Sequence, residues 1–233
     1  SVGLRAEDVN TNRVATNQGG GFIRQDGTLT SLSLRGVYNN RDFDLDPAQG
    51  QYLALALEPG FTNIRSAEQQ FIDAGVVKLG QSSFLRASID YRLYYSPQGR
   101  RTQPDDRRQV FAIRAYYGTI SGTVPFFEQF FIGGAETLRG YPEDRFWGKN
   151  AALLSFEFRQ PIEKAFTAVF FVDIGHAWGG YPSVNDFIQR GSFRPEIGYG
   201  LGVRVRTPLG PLRIDYGIGR DGGRTHFSVG QVF

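Results

Sequence analysis

The 233-residue chain is 40% hydrophobic, 14% aromatic and 21% charged, with 30 glycines and 20 phenylalanines, which fits one folded domain and excludes an acidic or low-complexity tail. It contains no cysteine, so disulfides, thiolate metal sites and a thiol nucleophile are excluded, and the absence of methionine leads us to expect a processed or truncated chain. Net charge is +3, and the 26 Lys plus Arg are scattered rather than blocked, so no nucleic-acid partner is expected.

No apolar run approaches the roughly 18 residues a spanning helix needs, but a membrane strand needs only about 9 to 11, every second one apolar. Alternation of that kind predicts about ten strands, at 1–9, 28–40, 51–60, 84–95, 110–118, 151–161, 166–175, 193–210, 211–219 and 225–233. Turn-forming clusters such as NQGGG, DPAQG, SPQGR, WGGYPS and GRDGGR separate them, and nothing between has a helical period; 71–80 reads either as an extra strand or as loop. The clearest case is FRPEIGYGLGVRVR, where Ile197, Tyr199, Leu201 and Val203 oppose Glu196, Gly198, Gly200, Gly202 and Arg204. In PLRIDYGIG, Leu212, Ile214, Tyr216 and Ile218 oppose Arg213, Asp215 and Gly217.

Two architectures carry such strands: a soluble sandwich or barrel with its apolar face inside, and a membrane barrel with its apolar face on lipid. The polar face here is Arg, Asp, Glu, Ser and Gly rather than the Lys, Glu and Thr of a soluble exterior, and aromatics sit near strand ends. The expected fold is therefore all-β: an antiparallel transmembrane β-barrel forming one domain, 1–233, with the lipid bilayer as its first partner. The stretch 118–149 contains no clean strand, and a loop of that length inside a compact domain is usually functional.

The run PFFEQFFIGGAETLRGY within that stretch resembles the long sixth extracellular loop of the BamA-like polypeptide-transporting outer-membrane barrels, with Leu138, Arg139, Gly140 and Tyr141 in place of its (V/I/L)RG(F/Y) hallmark. Further pieces follow in the family's order: a D-P-x-x-G turn at Asp46, SFEF at Ser155, FVDIGHAW at Phe171, TPLGPLRIDY at Thr207 and the closing FSVGQVF. The resemblance implies a loop, 119–149, folded into the lumen, with Arg139 meeting Asp173 and Glu157 of the inner wall. Parity places both acids inward independently, and a guanidinium fork suits two carboxylates better than an ammonium does. Gly133, Gly134 and Gly140 are expected to let the loop turn and approach the wall. Gly198, Gly200 and Gly202 read either as room for the loop or as glycines easing strand curvature.

What the resemblance implies for function is an insertase or translocase barrel in the outer membrane of a Gram-negative-type bacterium, or less readily an organelle outer envelope. Its partners would be client polypeptides or unfolded outer-membrane proteins, with periplasmic or accessory subunits. Gly230 and Phe233 would mark the lateral seam and the terminal signal. Family barrels have about 16 strands and preceding POTRA domains, so the ten visible here suggest the later part of a larger barrel or a short POTRA-less member. As such a part, the chain is expected to conduct ions weakly and not to accelerate client insertion by itself. The alternatives are the barrel of a patatin-like phospholipase or other surface enzyme, and a porin-like barrel.

No enzymatic role, cofactor or metal is expected. GQSSF at Gly80 is not a serine-nucleophile elbow, GYGLG at Gly198 lies inside a strand rather than before a helix, and two histidines without cysteine make a poor zinc set. His176 and His226 are expected as polar rim residues. Asp90, Asp173 and Asp215 are expected to be lumen charges paired with Arg86, Arg92, Arg204 and Arg213.

Overall fold

The computed structural model describes residues 1–10, 25–67, 69–73, 78–103, 105–122, 124–179, 192–207 and 210–230. In chain order these form β1 (Val2–Asn10), β2 (Gln25–Asn39), β3 (Gly50–Ala67), the short helix α1 (Gln69–Asp73), β4 (Gly80–Tyr95), β5 (Val110–Gly122), β6 (Phe130–Ile132), β7 (Phe146–Gly148), β8 (Asn150–Pro161), β9 (Phe166–Trp178), β10 (Glu196–Thr207), β11 (Gly210–Gly219) and β12 (Gly222–Val229). One ten-stranded antiparallel sheet runs β1-β2-β3-β4-β5-β8-β9-β10-β11-β12, and β6 pairs only with β7. Among the described residues β1 and β12 do not pair, so the sheet is curled but not closed.

Each predicted strand contributes to the main sheet and several run longer than the alternation suggested, but the one expected at 193–210 runs only from Glu196 to Thr207 and the one at 225–233 only as far as Val229, with 208–209 and 231–233 outside the described residues. β3 continues to Ala67 through Thr62, Asn63 and Arg65, because the backbone ladder persists to Ile64 on the β4 side and to Ala67 on the β2 side after the apolar alternation is broken. β5 reaches Gly122, which corrects the expected start of the loop: the connection is 123–149, and it carries a 3-10 turn (Phe126–Glu128) and the β6/β7 pair instead of being structureless. The stretch 71–80 contributes the end of α1 and the first residue of β4, with 74–77 outside the described residues.

Register explains the two faces. Across β10 and β11, Leu201 faces Tyr216 and Val203 faces Ile214 on one side, while Gly200 faces Gly217 and Gly202 faces Asp215 on the other. Across β8 and β9, Phe156 meets Val172 and Phe158 meets Phe170, with Ser155 opposite Asp173 on the reverse face. Burial is then the inverse of a soluble protein's: Leu201 is 67% exposed and Ile197 53%, whereas Glu157, Asp173 and Arg213 are at 0%. Water would not tolerate a continuous apolar outer surface, and lipid does. The chain is an antiparallel membrane barrel fold whose core is its polar lumen.

Since the sheet is a meander, the connections alternate between its two ends. The β5–β8, β3–β4, β9–β10 and β11–β12 junctions share one end; the β2–β3, β4–β5, β8–β9 and β10–β11 junctions share the other.

Candidate functional site: a loop docked in the lumen

Loop 123–149 enters at its own end of the sheet and folds back between the strands. The β6/β7 pair forms its neck, and Ile132, Leu138, Tyr141 and Phe146 pack with Ala151 and Ala177 of the wall. The IGGAETLRGY segment is knotted by local bonds. The Gly133 N–H donates to Thr137 Oγ1 (2.8 Å), the Gly134 N–H to the Leu138 carbonyl (3.2 Å), and the Ala135 N–H to Glu143 Oε1 (2.9 Å). Gly133, Gly134 and Gly140 all have positive φ (136°, 92° and 92°), and a side chain at Gly140 would strike the β11 backbone at Ile218, 2.7 Å away.

That knot presents Arg139 to the wall with no exposure. Its Nε and Nη2 donate to Asp173 Oδ2 and Oδ1 (2.7 and 2.8 Å), its Nη1 donates to Glu157 Oε1 (2.6 Å), and its backbone N–H also reaches Asp173 (3.1 Å). The fork is thus split between a bidentate acid and a monodentate one, and Asp215 lies 3.5 Å from Nη1. Beneath it, the guanidinium carbon sits 3.7 Å from the centre of the Phe171 ring. Burial alone would favour the neutral form of Arg139, but the charges of Asp173 and Glu157 outweigh it and hold the guanidinium above its usual range.

The acids are shared further. Glu157 also accepts from Arg159 Nε (2.8 Å) and Arg204 Nη2 (3.2 Å), and Asp215 accepts from Arg204 and from Arg213 Nη2 (3.2 Å). Arg213 in turn donates to the loop, to the Ala135 carbonyl (3.0 Å) and to Glu136 Oε1 (3.0 Å). Tyr141 reaches the far side, its hydroxyl 3.3 Å from Glu196 Oε2 and accepting the Arg220 N–H at 3.0 Å.

The structure therefore brings Arg139, Glu157 and Asp173 together, with Leu138, Gly140 and Tyr141 packed on the same wall. Gly230 follows β12 with φ 93° and donates its N–H to the Pro211 carbonyl (2.8 Å); Phe233 lies outside the described residues. Both histidines depart from the rim expectation. His176 is buried against Phe146, and His226 Nε2 accepts the Gly140 N–H (3.1 Å), because the loop covers the wall where they stand. Asp90 pairs with Arg92 and Arg114, whereas Arg86 pairs with Glu58 and Glu128 instead of Asp90.

The glycine reading is corrected in part. A side chain at Gly198 would lie 1.8 Å from the Arg139 carbonyl oxygen, so that glycine does make room for the loop. Gly200 instead faces the Phe171 ring and Tyr216 carbonyl, and Gly202 faces the Asp215 carboxylate, so the nearest neighbours of both belong to the wall. Unanticipated were Gly217, whose side chain would meet Gly140 N at 2.6 Å, and Gly219, which would meet the Tyr141 ring at 2.5 Å. Their shared parity with Asp215 was the available signal.

Also unanticipated was Glu128, the single acid in PFFEQFF. It is buried and accepts from Arg5 Nη2 of β1 (2.9 Å) and Arg86 Nη2 of β4 (2.7 Å). The loop thus holds one edge strand through Glu128 and the other through Gly140 and His226.

Residues 4–233 match the model of the Omp85 superfamily domain. The chain belongs to the Omp85 superfamily. Among Omp85 relatives, it is 38% identical over 121 residues to the chloroplastic outer envelope protein 80 of Arabidopsis thaliana, and 35% identical over 133 residues to the outer membrane protein assembly factor BamA of Nitratidesulfovibrio vulgaris. Each alignment covers 48% of this chain and 16% of the relative, so the chain spans only a small part of the length of these Omp85 proteins. In fold it is similar to BamA from Haemophilus ducreyi lacking POTRA domains 1–3, with TM-score 0.56 and 14% identity over 99% of this chain and 58% of that one.

Proposed function

We propose that these residues form the membrane barrel part of an outer-membrane polypeptide insertase or translocase, in which Arg139 and its acids lock the loop and the seam beside β12 receives substrate. The observation that carries this reading is the relation between loop and seam: the loop locked by Arg139 reaches β12 through Gly140 and His226, and among the described residues β12 pairs only with β11. An unpaired strand edge is a template for an incoming strand, which adds by main-chain hydrogen bonds. The relatives' names, an assembly factor and an outer-envelope protein, agree in placing such barrels in an outer membrane. In this reading the clients are unfolded outer-membrane polypeptides, delivered by periplasmic or accessory subunits, and the barrel positions strands without breaking or making covalent bonds.

Photocrosslinking tests it. The chain is reconstituted in liposomes with a photoreactive residue at Ala6 (β1), Ser228 (β12) or, as a mid-sheet control, Ser88 (β4), and mixed with a labelled unfolded barrel protein. Adducts concentrated at Ser228 are expected. Equal adducts at all three positions, or none with ion conductance intact, would replace this reading with a porin-like one.

A further inference from the structure

The loop fills the lumen from one end only. At the other, a cavity of about 400 Å³ opens between the 40–49 and 96–109 turns and the ends of β8 to β11. This is the size range of small-ligand sites.

Its lining is layered. Three buried arginines form the deep part: Arg101, Arg159 and Arg204. Arg101 gives Nη1 to Asp46 (2.5 Å) and Arg204 gives both Nη atoms to Glu157 and Asp215, yet Arg101 Nε and Arg204 Nε have no acceptor among the described residues. A buried N–H without an acceptor is costly and calls for a partner. At the mouth stand Arg107, Lys164 and Arg206, exposed and without an ion pair among the described residues. The acids of the lining do not balance them: Asp44 is held by Arg41 and Asp46 by Arg101, which leaves Glu163. Phe43, Leu45 and Pro161 supply an apolar wall beside these cations.

We propose that this cavity binds a phosphomonoester carrying a short apolar group. A phosphate dianion offers three acceptor oxygens and close to two negative charges to several guanidinium groups at once, whereas a carboxylate offers two oxygens and one charge. The apolar wall takes the attached chain and selects against inorganic phosphate. The site shares Arg159 and Arg204 with the ion-pair network beneath Arg139, but it shares no residue with β12, at whose seam the insertase reading places the substrate.

Calorimetric titration of the full chain in nanodiscs of zwitterionic lipid provides the test, with hexyl phosphate, inorganic phosphate, hexanoate and hexanol as probes. Hexyl phosphate should bind saturably and at least about tenfold more tightly than inorganic phosphate or hexanoate, hexanol should not bind, and the exposed double variant Lys164→Gln/Arg206→Gln should weaken hexyl phosphate about tenfold. Repeating the titration in nanodiscs containing phosphatidic acid separates the sources: loss of hexyl phosphate binding assigns the site to a lipid headgroup, and unchanged binding assigns it to a soluble phosphomonoester. No saturable binding at millimolar hexyl phosphate, equal affinity for hexanoate, or unchanged affinity in the double variant would overturn the proposal.

Discussion

Replacing Arg139 by alanine should undock the loop, and the structure indicates where the cost falls. Glu157 keeps Arg159 and Arg204, and Asp215 keeps Arg204 and Arg213. Asp173 keeps no cation among the described residues, since each of its ion-pair contacts comes from Arg139, and it is fully buried. One orphaned buried carboxylate costs about 3 to 5 kcal/mol, or roughly two to three and a half powers of ten in the docking equilibrium. Arg139→Lys should fall between wild type and alanine, because an ammonium cannot serve two acids with a planar fork. Asp173→Asn should be milder than Arg139→Ala, because Arg139 retains Glu157 and Asp215. The double variant Arg139→Ala/Asp173→Asn should recover about 0.5 to 3 kcal/mol relative to Arg139→Ala, since it removes the orphaned charge. Hydrogen exchange at the Leu138–Tyr141 amides, with denaturant unfolding in micelles, reads both effects. Unchanged protection in Arg139→Ala, or a double variant no more stable than that single one, would refute the reasoning.

Other substitutions test the remaining contacts. Gly198→Ala should cost about 1 to 3 kcal/mol by pushing a methyl group into the Arg139 carbonyl, whereas Gly36→Ala, which meets nothing within 4 Å, should be close to neutral in the same unfolding assay. Leu201→Arg and Ile214→Arg should each cost about 2 to 4 kcal/mol near the bilayer midplane, measured by folding into lipid vesicles; tolerance at both would remove the lipid-facing assignment. Asp42 gives an acid-sensitive tie between two turns. Burial opposes its charge, but the N–H groups of Arg101, Ala48, Gln49 and Phe43 outweigh that and hold its carboxyl below the usual range. Its contribution is therefore present above the unfolded value of about 3.9 and lost as pH falls through the lower folded value. Asp42→Asn should flatten the pH dependence of melting below about pH 4, and an unchanged acid limb would exclude it as the source.

The strands were legible because lipid and lumen impose opposite chemistry on alternate residues, and Leu201 to Arg204 record that at every step. The same parity turned Glu157 and Asp173 inward, and the LRGY hallmark supplied their partner. What was not legible depends on placement across distance. Whether Gly198 or Gly200 meets the loop is decided by strand register and by the path of Arg139, neither of which leaves a local pattern. Glu128 finds Arg5 across 123 positions, and His226 is buried only because Gly140 lies over it. The extra length of β3 escaped for another reason: beyond Gly60 the residues Thr62, Asn63 and Arg65 break the alternation, while the backbone ladder continues regardless of side chain.

The docked loop is most directly tested by cysteine accessibility, for which the chain is suited because it has none of its own. Single cysteines are placed at Glu136, Leu138 and Tyr141 and labelled with a water-soluble maleimide in proteoliposomes. The account predicts fast labelling at Glu136, whose side chain is 58% exposed, and protection at Leu138 and Tyr141, relieved when Arg139→Ala is added. Equal labelling at all three positions with Arg139 intact would contradict it.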